Sequence, residues 1–165
     1  MENEEIIRSE EVKEIEIPLE RIFEHKDIRG KPTWQVISFQ VVAPGTNTAT
    51  GDGKYFFRIP KELNGFNLTR VAAVVYTAGT TGTTDIQIRN KTQSADMLTT
   101  KITIDSGETD TSTAAAAAVI DTANDDVATG DAIAVDVDAV STTPAQGLYI
   151  ELQFSIPGSI SRLIQ

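Results

Sequence analysis

The side chains best suited to acid–base or nucleophilic chemistry are scarce in this sequence. His25 is the only histidine, and there is no cysteine. A Ser-His-Asp triad would have to use His25, which lies in the charged run Phe23–Asp27. A zinc site needs several His or Cys ligands, and the chain does not supply them. We expect His25 to be a solvated or interface residue, and we predict no catalytic residue and no cofactor.

A run of carboxylates offers oxygen ligands of the kind that calcium takes. Its spacing does not fit an EF-hand loop, whose ligands recur at alternate positions with a Gly at the sixth and a Glu at the twelfth. The alternative, which we favour, is that Asp125 or Asp126 caps a turn and that Asp136 and Asp138 face solvent. We therefore predict no metal site, with calcium as the open alternative for Asp121, Asp125, Asp126, Asp131, Asp136 and Asp138.

Paired carboxylates also cleave glycosidic bonds, but such sites normally lie in clefts lined with aromatic residues. Aromatic residues make up only 6% of this chain, and Trp34 is its single tryptophan. We interpret Trp34 and Phe39 as core residues or as residues that pack against the N-terminal segment. Gly79 and Gly82 lack the downstream Gly-Lys-Ser/Thr of a phosphate-binding loop, so we interpret them as hairpin glycines. We predict that the protein is not an enzyme.

Charge and hydropathy exclude two classes of partner. The net charge of -10 argues against nucleic-acid binding, which needs clustered Lys and Arg. No stretch approaches the roughly 20 apolar residues of a membrane span. The start, Met1–Glu5, lacks the basic and apolar regions of a signal peptide. We expect a protein that stays in the cytoplasm or leaves it inside a particle released by lysis.

Composition divides the chain into an N-terminal arm (1–33), a β domain (34–154) and a short tail (155–165). The β domain shows several short runs of alternating apolar and polar residues, joined by turns rich in Gly, Thr and Asp. This pattern favours an all-β, antiparallel two-sheet sandwich, and a jelly roll is our best prediction. Pro44–Gly45 and then Thr50–Gly53 mark one long turn, and Thr80–Thr84 is expected to be a hairpin connection.

Within the predicted strands, alternation assigns side chains to faces. We expect Ile86 and Ile88 to be buried on one face, with Asp85, Gln87 and Arg89 on the other. Two further strands should bury Ile133, Val135 and Val137, and Leu148, Ile150, Leu152 and Phe154. The alanine run Ala114–Ala118 is the one competing signal, because alanine favours helix and Ser112 or Thr113 would cap a short one.

The N-terminal arm alternates apolar and charged residues over a short stretch that has no core of its own. An extended segment of this kind needs a surface to lie on, either in its own domain or in a neighbour, through strand addition. We predict that it binds a partner through Ile15, Ile17, Leu19, Ile22 and Phe23.

Several segments of the β domain carry a resemblance to a known class of proteins. They are residues 57–65, 76–88, 96–108 and 126–131, the last leading to Gly147–Leu148. From about Trp34 to Phe154 the chain resembles a domain that recurs in structural proteins of tailed bacteriophages. It is similar to the β-sandwich modules of head fibres, capsid decoration proteins and tail fibres, which are commonly homotrimers. The arm is not part of the resemblance, and the matching segments contain no catalytic signature.

The resemblance implies a virion structural protein that binds other virion proteins, the major capsid protein first among them. Our preferred hypothesis is a decoration or head-fibre protein of the capsid, docked through the arm and assembled as a homotrimer. The alternative is a tail-fibre or receptor-binding module, in which loops such as 46–53 and 106–113 contact the host surface. A particle-associated hydrolase is the third and least favoured hypothesis, because the sequence offers no catalytic constellation and few aromatic residues.

Overall fold

The chain divides into two compact units between Pro32 and Thr33. The computed structural model describes residues 33–157. All of the predicted arm except Thr33 therefore lies outside the described residues, as does the tail beyond Pro157. Within residues 33–157 the strands form two main antiparallel sheets. The all-β, two-sheet sandwich predicted from the sequence is confirmed.

The first sheet has the strand order β1-β11-β3-β9, and the second has the order β2-β10-β4-β5, with β7 also paired to β4. A third, two-stranded sheet joins β6 to β8. The strands are β1 (Trp34–Asn47), β2 (Gly51–Arg58), β3 (Phe66–Thr77), β4 (Thr84–Asn90), β5 (Ala95–Asp96), β6 (Leu98–Thr100), β7 (Ile102–Ile104), β8 (Val119–Ile120), β9 (Asp126–Val127), β10 (Ala132–Ala139) and β11 (Gln146–Ser155).

The chain alternates between the two main sheets in a way that defines a jelly roll. β1 and β3 belong to the first sheet, whereas β2 and β4 belong to the second. On the return path, β9 and β11 lie in the first sheet and β10 lies in the second. As a result β11 is inserted between β1 and β3, and β10 between β2 and β4, as in two interlocked Greek keys.

The core forms because each central strand presents β-branched and aliphatic side chains to the space between the sheets. Along β11, Leu148, Ile150, Leu152 and Phe154 are all buried, as the alternation predicts. β10 buries Ile133, Val135 and Val137, which also confirms the sequence prediction. Ile86 and Ile88 of β4 complete the facing layer, and they are fully buried.

Different contacts close the two open sides of the sandwich. On the side of β1 and β2, the Phe39 ring stacks on the Tyr55 ring with centroids 4.5 Å apart. On the side of β3, the segment 109–111 runs along the strand, and the Val75 amide donates to the Thr109 carbonyl at 2.7 Å. Asp110 forms an isolated bridge with Val74 at the same edge.

Two turn predictions are wrong, the long turn from Pro44 to Gly53 and the hairpin at Thr80–Thr84. Only residues 48–50 separate β1 from β2, which begins at Gly51. β1 does not end at Pro44–Gly45 but continues to Asn47, which pairs with Gln146 beyond an irregularity in the ladder. Pro44 is tolerated there because β1 is an edge strand among the described residues, and Gly45 takes the positive φ that the bulge needs. Thr80–Thr84 is not a hairpin, because β3 and β4 belong to different sheets.

No α-helix forms at Ala114–Ala118, which is a loop. Five alanines are too few to offset the cost of helix nucleation, and Asp105 competes by accepting a hydrogen bond from the Ala115 amide at 2.7 Å. Lys61–Leu63 forms a single 3-10 turn. Across residues 33–157, no helix has the length and hydropathy that crossing a membrane requires.

The sandwich has two distinct ends. At the end that we call the terminal end, Trp34 pairs with Ser155, and the Ile156 amide donates to the Thr33 carbonyl at 2.9 Å. Both connections to the undescribed segments therefore leave from this end. The opposite, distal end carries the loops 48–50, 78–83, 105–108 and 140–145.

Candidate interaction surfaces

The predicted partner-binding residues of the arm fall outside the described part of the chain. They are Ile15, Ile17, Leu19, Ile22 and Phe23, and His25 lies in the same segment. The roles assigned to them stay predictions. The candidate surfaces that the structure describes lie within residues 33–157.

The carboxylates between residues 121 and 138 do not gather around one point. Asp121 holds a turn, because its Oδ1 accepts from the Ala123 amide at 3.1 Å and its Oδ2 from Asn124 Nδ2 at 2.6 Å. Asp136 and Asp138 lie on β10, in the second sheet. In the part of the chain that the structure describes, no three His, Cys, Asp or Glu side chains converge as metal ligands would.

Asp131 is a buried carboxylate whose hydrogen bonds connect the loops at the terminal end. Its Oδ2 accepts hydrogen bonds from Asn90 Nδ2 at 2.8 Å, Gln93 Nε2 at 2.9 Å and the Ala128 amide at 3.0 Å. Burial alone disfavours the charged form, but these hydrogen bonds outweigh it and hold the pKa of Asp131 below its ordinary value. Asp131 thus stabilises the loop between β9 and β10 as an anion.

Asp125 lies nearby in a less favourable environment. Burial raises its pKa, the hydrogen bond from Asn67 Nδ2 at 2.7 Å opposes that shift, and the negative charges of Asp126 and Asp121 add to it. Because the Asp125 side chain reaches across to β3, it does not cap a turn. The turn-capping role predicted for Asp125 or Asp126 belongs to Asp121.

The outer face of the second sheet is covered in part by the protein's own chain. The Gly53 amide donates to Asp136 Oδ1 at 2.5 Å, so the start of β2 folds over a carboxylate that we expected to face solvent. Gln87, also expected outside, is buried and donates to the Leu98 carbonyl at 3.1 Å. Asp138 is exposed as predicted, and it pairs with Lys101 at 2.8 Å.

The outer face of the first sheet is different, because large apolar side chains stand exposed on it. Tyr149 projects from the central strand β11, and the register places it opposite Val74 on one side and Gln40 on the other. Tyr76 is 74% exposed, the largest value among the large apolar side chains of the described residues. We call this surface the aromatic face and define it as Trp34, Val36, Val74, Tyr76 and Tyr149.

The sequence of β3 carries a signal for this face. The strand is apolar on both sides, with Val75 buried and its neighbours Val74 and Tyr76 exposed. A strand that is apolar on both faces is covered on both faces or presents an apolar surface to solvent. We assigned faces to the segments that form β4, β10 and β11 but not to β3, and therefore did not predict this surface.

A depression of about 530 Å³ opens beside Tyr149, between the first sheet and the loop that follows β7. Arg70 Nη1 and Glu151 Oε1 lie 3.4 Å apart on its floor. On its rim, the Ser112 hydroxyl and amide both donate to Asp110, and these hydrogen bonds lower the pKa of that carboxyl. The depression is thus lined by one ring, one cation and two carboxylates, and each of these charged groups has a partner within the chain.

The distal end is a tightly bonded cluster of loops. The Thr80 and Thr143 amides each donate to the other's carbonyl, at 3.0 and 3.1 Å. The Thr81 amide donates to Ser106 Oγ at 2.8 Å. These hydrogen bonds connect the loops before β4 and β11 with the loop after β7. Of the two loops that we expected to contact a host, 106–113 belongs partly to this cluster, whereas 46–53 lies mostly in β1 and β2.

The fold and these surfaces define the class of the protein: an antiparallel, two-sheet sandwich of jelly-roll order with one exposed apolar face. No protein-family model matches the chain, and comparison with curated proteins and with solved structures finds no significant similarity.

Proposed function

We propose that this chain is a structural, non-enzymatic protein of a tailed-phage particle, a decoration or head-fibre protein that binds the capsid through its N-terminal arm. It would be made in the host cytoplasm and reside in the virion. Its partners would be the major capsid protein and other copies of itself, in a homotrimer. Neither nucleic acid nor a membrane is among the proposed partners.

The observation that carries this proposal is the pairing of Trp34 with Ser155 at the terminal end. Because the first and last described strands lie side by side there, the arm and the tail leave the sandwich at the same end. This arrangement suits an attached module, since one end can serve for anchoring while the opposite end stays accessible. The segments that resemble phage particle proteins are the second support.

The depression beside Tyr149 favours one alternative, a tail-fibre or receptor-binding module. Its ring and its carboxylates, Asp110 and Glu151, are groups that bind the hydroxyls and apolar faces of sugars. In that case the ligand would be a glycan or a protein on the host surface.

The test is binding of the full-length protein to phage heads stripped of their surface proteins, measured by co-sedimentation. The triple variant Ile15→Ser, Ile17→Ser, Leu19→Ser removes apolar side chains of the arm. The matched control, Glu14→Gln, Glu16→Gln, Glu20→Gln, changes the alternating positions. We expect the wild type and the control to sediment with heads and the serine variant to remain in the supernatant.

Binding to host cells but not to heads would overturn this proposal and support the receptor-binding alternative. The copy number per purified particle gives an independent measurement. Hundreds of copies agree with a head location, and a handful agrees with the tail.

A further inference from the structure

The terminal end contains the one Asn-Gly dipeptide of the sequence, Asn64–Gly65, which directly precedes β3. Both residues are exposed to solvent. An asparagine in this context can modify itself, because the amide nitrogen of the next residue can attack the side-chain carbon, and glycine has no Cβ to hinder that approach. The groups that this reaction needs are therefore neighbours in the chain and lie on the surface, where water reaches them.

In the folded protein, β9 and the loop after it hold both reacting groups. The Gly65 amide donates to the Val127 carbonyl at 2.8 Å. Asn64 Oδ1 accepts from the Thr129 amide at 2.9 Å and from the Thr129 hydroxyl at 3.1 Å. The ψ of Asn64 is 122°, which turns the Gly65 nitrogen away from the Asn64 side chain, and the φ of Gly65 is 77°, as in a type II turn. The attacking nitrogen and its target carbon are thus kept out of the aligned geometry that reaction requires.

We propose that Asn64–Gly65 is a self-modification site, closed in the folded protein and opened when β9 and the loop after it detach from the start of β3. Once released, the Gly65 nitrogen bonds to the Asn64 Cγ and gives up its proton. The Cγ–Nδ2 bond breaks, and ammonia leaves with that proton, so that a succinimide ring remains. Water then opens the ring. Cleavage of the new N–Cγ bond gives aspartate, and cleavage of the original backbone C–N bond gives isoaspartate.

β9 is the part of this arrangement that detaches most easily. It has only two residues, and its pairing with β3 consists of Phe66 with Val127 and Asn67 with Asp126. Short elements with few contacts open at a lower free energy than central strands. In the strand order β1-β11-β3-β9, β9 is the last strand, so its release leaves the pairing of β3 with β11 in place. Opening of the site therefore does not require unfolding of the sandwich.

Formation of isoaspartate makes the opening one-way. The chain of isoaspartate continues through the Cγ of residue 64, so the backbone gains one atom in the turn that places the Gly65 amide on the Val127 carbonyl. That hydrogen bond and the pairing of β9 with β3 are not restored after the reaction. A molecule that has opened and reacted at this end stays altered there. The inference is independent of the proposed function, because it concerns the free chain as much as an assembled particle.

The first test incubates the full-length protein in mildly alkaline buffer, with and without denaturing guanidinium. Peptide mass spectrometry follows the conversion of Asn64 to aspartate and isoaspartate, which share one mass. The control is Asn64→Gln, whose longer side chain would have to close a larger and less favourable ring. We expect conversion of the wild type to be roughly tenfold or more slower in native buffer than in guanidinium, and the control to stay unchanged. Equal rates in the two buffers, or no conversion in guanidinium, would overturn the inference.

The second test separates detachment of β9 from a general loss of stability. Val127→Ala and Val137→Ala make the same change at valines that are each 1% exposed, the first on β9 and the second on β10. In native buffer we expect Val127→Ala to speed the conversion of Asn64 about tenfold and Val137→Ala to stay close to the wild type. Thr129→Ala, an exposed substitution that leaves the core intact, removes one hydrogen bond to Asn64 and should raise the rate by a smaller factor. Equal rates for the two valine variants, or an unchanged rate in Thr129→Ala, would show that β9 and its loop do not control the site.

Discussion

Asn90 Nδ2 donates to Asp131 Oδ2 at 2.8 Å, and both side chains are buried. This hydrogen bond joins the end of β4 to the residue that precedes β10. It links two neighbouring strands of the second sheet at the end where the chain connects to its undescribed segments. A charged residue inside a small sandwich has to be matched by donors, and here the donors come from three separate positions.

Replacing Asp131 by Ala should be strongly destabilising. The change leaves the buried side-chain amide of Asn90 without its acceptor, and an unsatisfied buried donor costs about 1–3 kcal/mol. It also removes one partner of the exposed Gln93 side chain and of the Ala128 amide. We expect the free energy of unfolding to fall by about 3 kcal/mol, measured by urea denaturation at neutral pH. The control is Asp126→Ala, an exposed carboxylate on the neighbouring strand, which should stay within about 0.5 kcal/mol of the wild type.

The same network gives an acid-dependent stability with a defined sign. The pKa of Asp131 is lower in the folded protein, so its contribution is complete above the ordinary carboxyl pKa and is lost as pH falls toward the folded value. The destabilisation caused by Asp131→Asn should therefore shrink as the pH is lowered. Urea denaturation of both proteins at acidic and neutral pH measures this, and a constant difference would contradict the assignment.

Asp125 should show the opposite dependence. Its folded pKa is raised by burial, so ionisation costs stability as the pH rises through the folded pKa. Asp125→Asn keeps an acceptor for Asn67 and removes the charge. We expect the variant to be more stable than the wild type at neutral pH, and this advantage to disappear at acidic pH. Denaturation midpoints at the two pH values are the measurement, and an equal advantage at both would contradict the prediction.

A side chain at position 79 should lower the stability of the protein, because the space beside Gly79 is already filled. A Cβ at this position would lie 2.6 Å from Ser141 Oγ and 3.0 Å from the Ala145 amide nitrogen. Gly79→Ala should lower the free energy of unfolding by about 1–3 kcal/mol, as overpacking does elsewhere. The control is Gly45→Asn, since nothing lies within 4 Å of that position and Asn accepts a positive φ. Thermal denaturation compares the two, and similar losses would show that crowding is not the cause.

The stacked rings that close one side of the sandwich should be energetically coupled. Phe39 lies 4.5 Å from Tyr55 and 5.5 Å from Phe57, measured between ring centroids. A double-mutant cycle with Phe39→Leu and Tyr55→Leu should give a coupling energy of about 0.5–1.5 kcal/mol. Additive effects of the two substitutions on the urea midpoint would mean that the rings contribute only by burial.

Much of the fold could be predicted because alternation fixes which side chains are buried. Leu148, Ile150, Leu152 and Phe154 follow a strict period of two, and only a strand satisfies it with a buried face. The jelly-roll order, in contrast, depends on which strands meet across long distances. Thr80–Thr84 has the composition of a hairpin, yet its chain crosses between the sheets, since local turn residues do not record which sheet the next strand joins.

The surfaces were harder to predict than the core. Asp136 alternates like an exposed residue, but a contact from Gly53, distant in sequence, buries it. The alanine run has the propensity of a helix, but it is short, and Asp105 binds its backbone. The aromatic face combines residues of β1, β3 and β11, and these meet only when the strands are assembled. The period of a strand predicts which of its own side chains share a face, whereas these surfaces depend on contacts with other strands and loops.

The position of β11 between β1 and β3 has a consequence during protein synthesis. Gln40 and its partner Tyr149 are 109 positions apart, so β1 leaves the ribosome long before the strand that it pairs with. β1 contains no charged residue. A long, uncharged and unpaired strand is a template for pairing with other chains. Until β11 has been made, β1 therefore lacks its pairing partner, and this part of the nascent chain is open to aggregation.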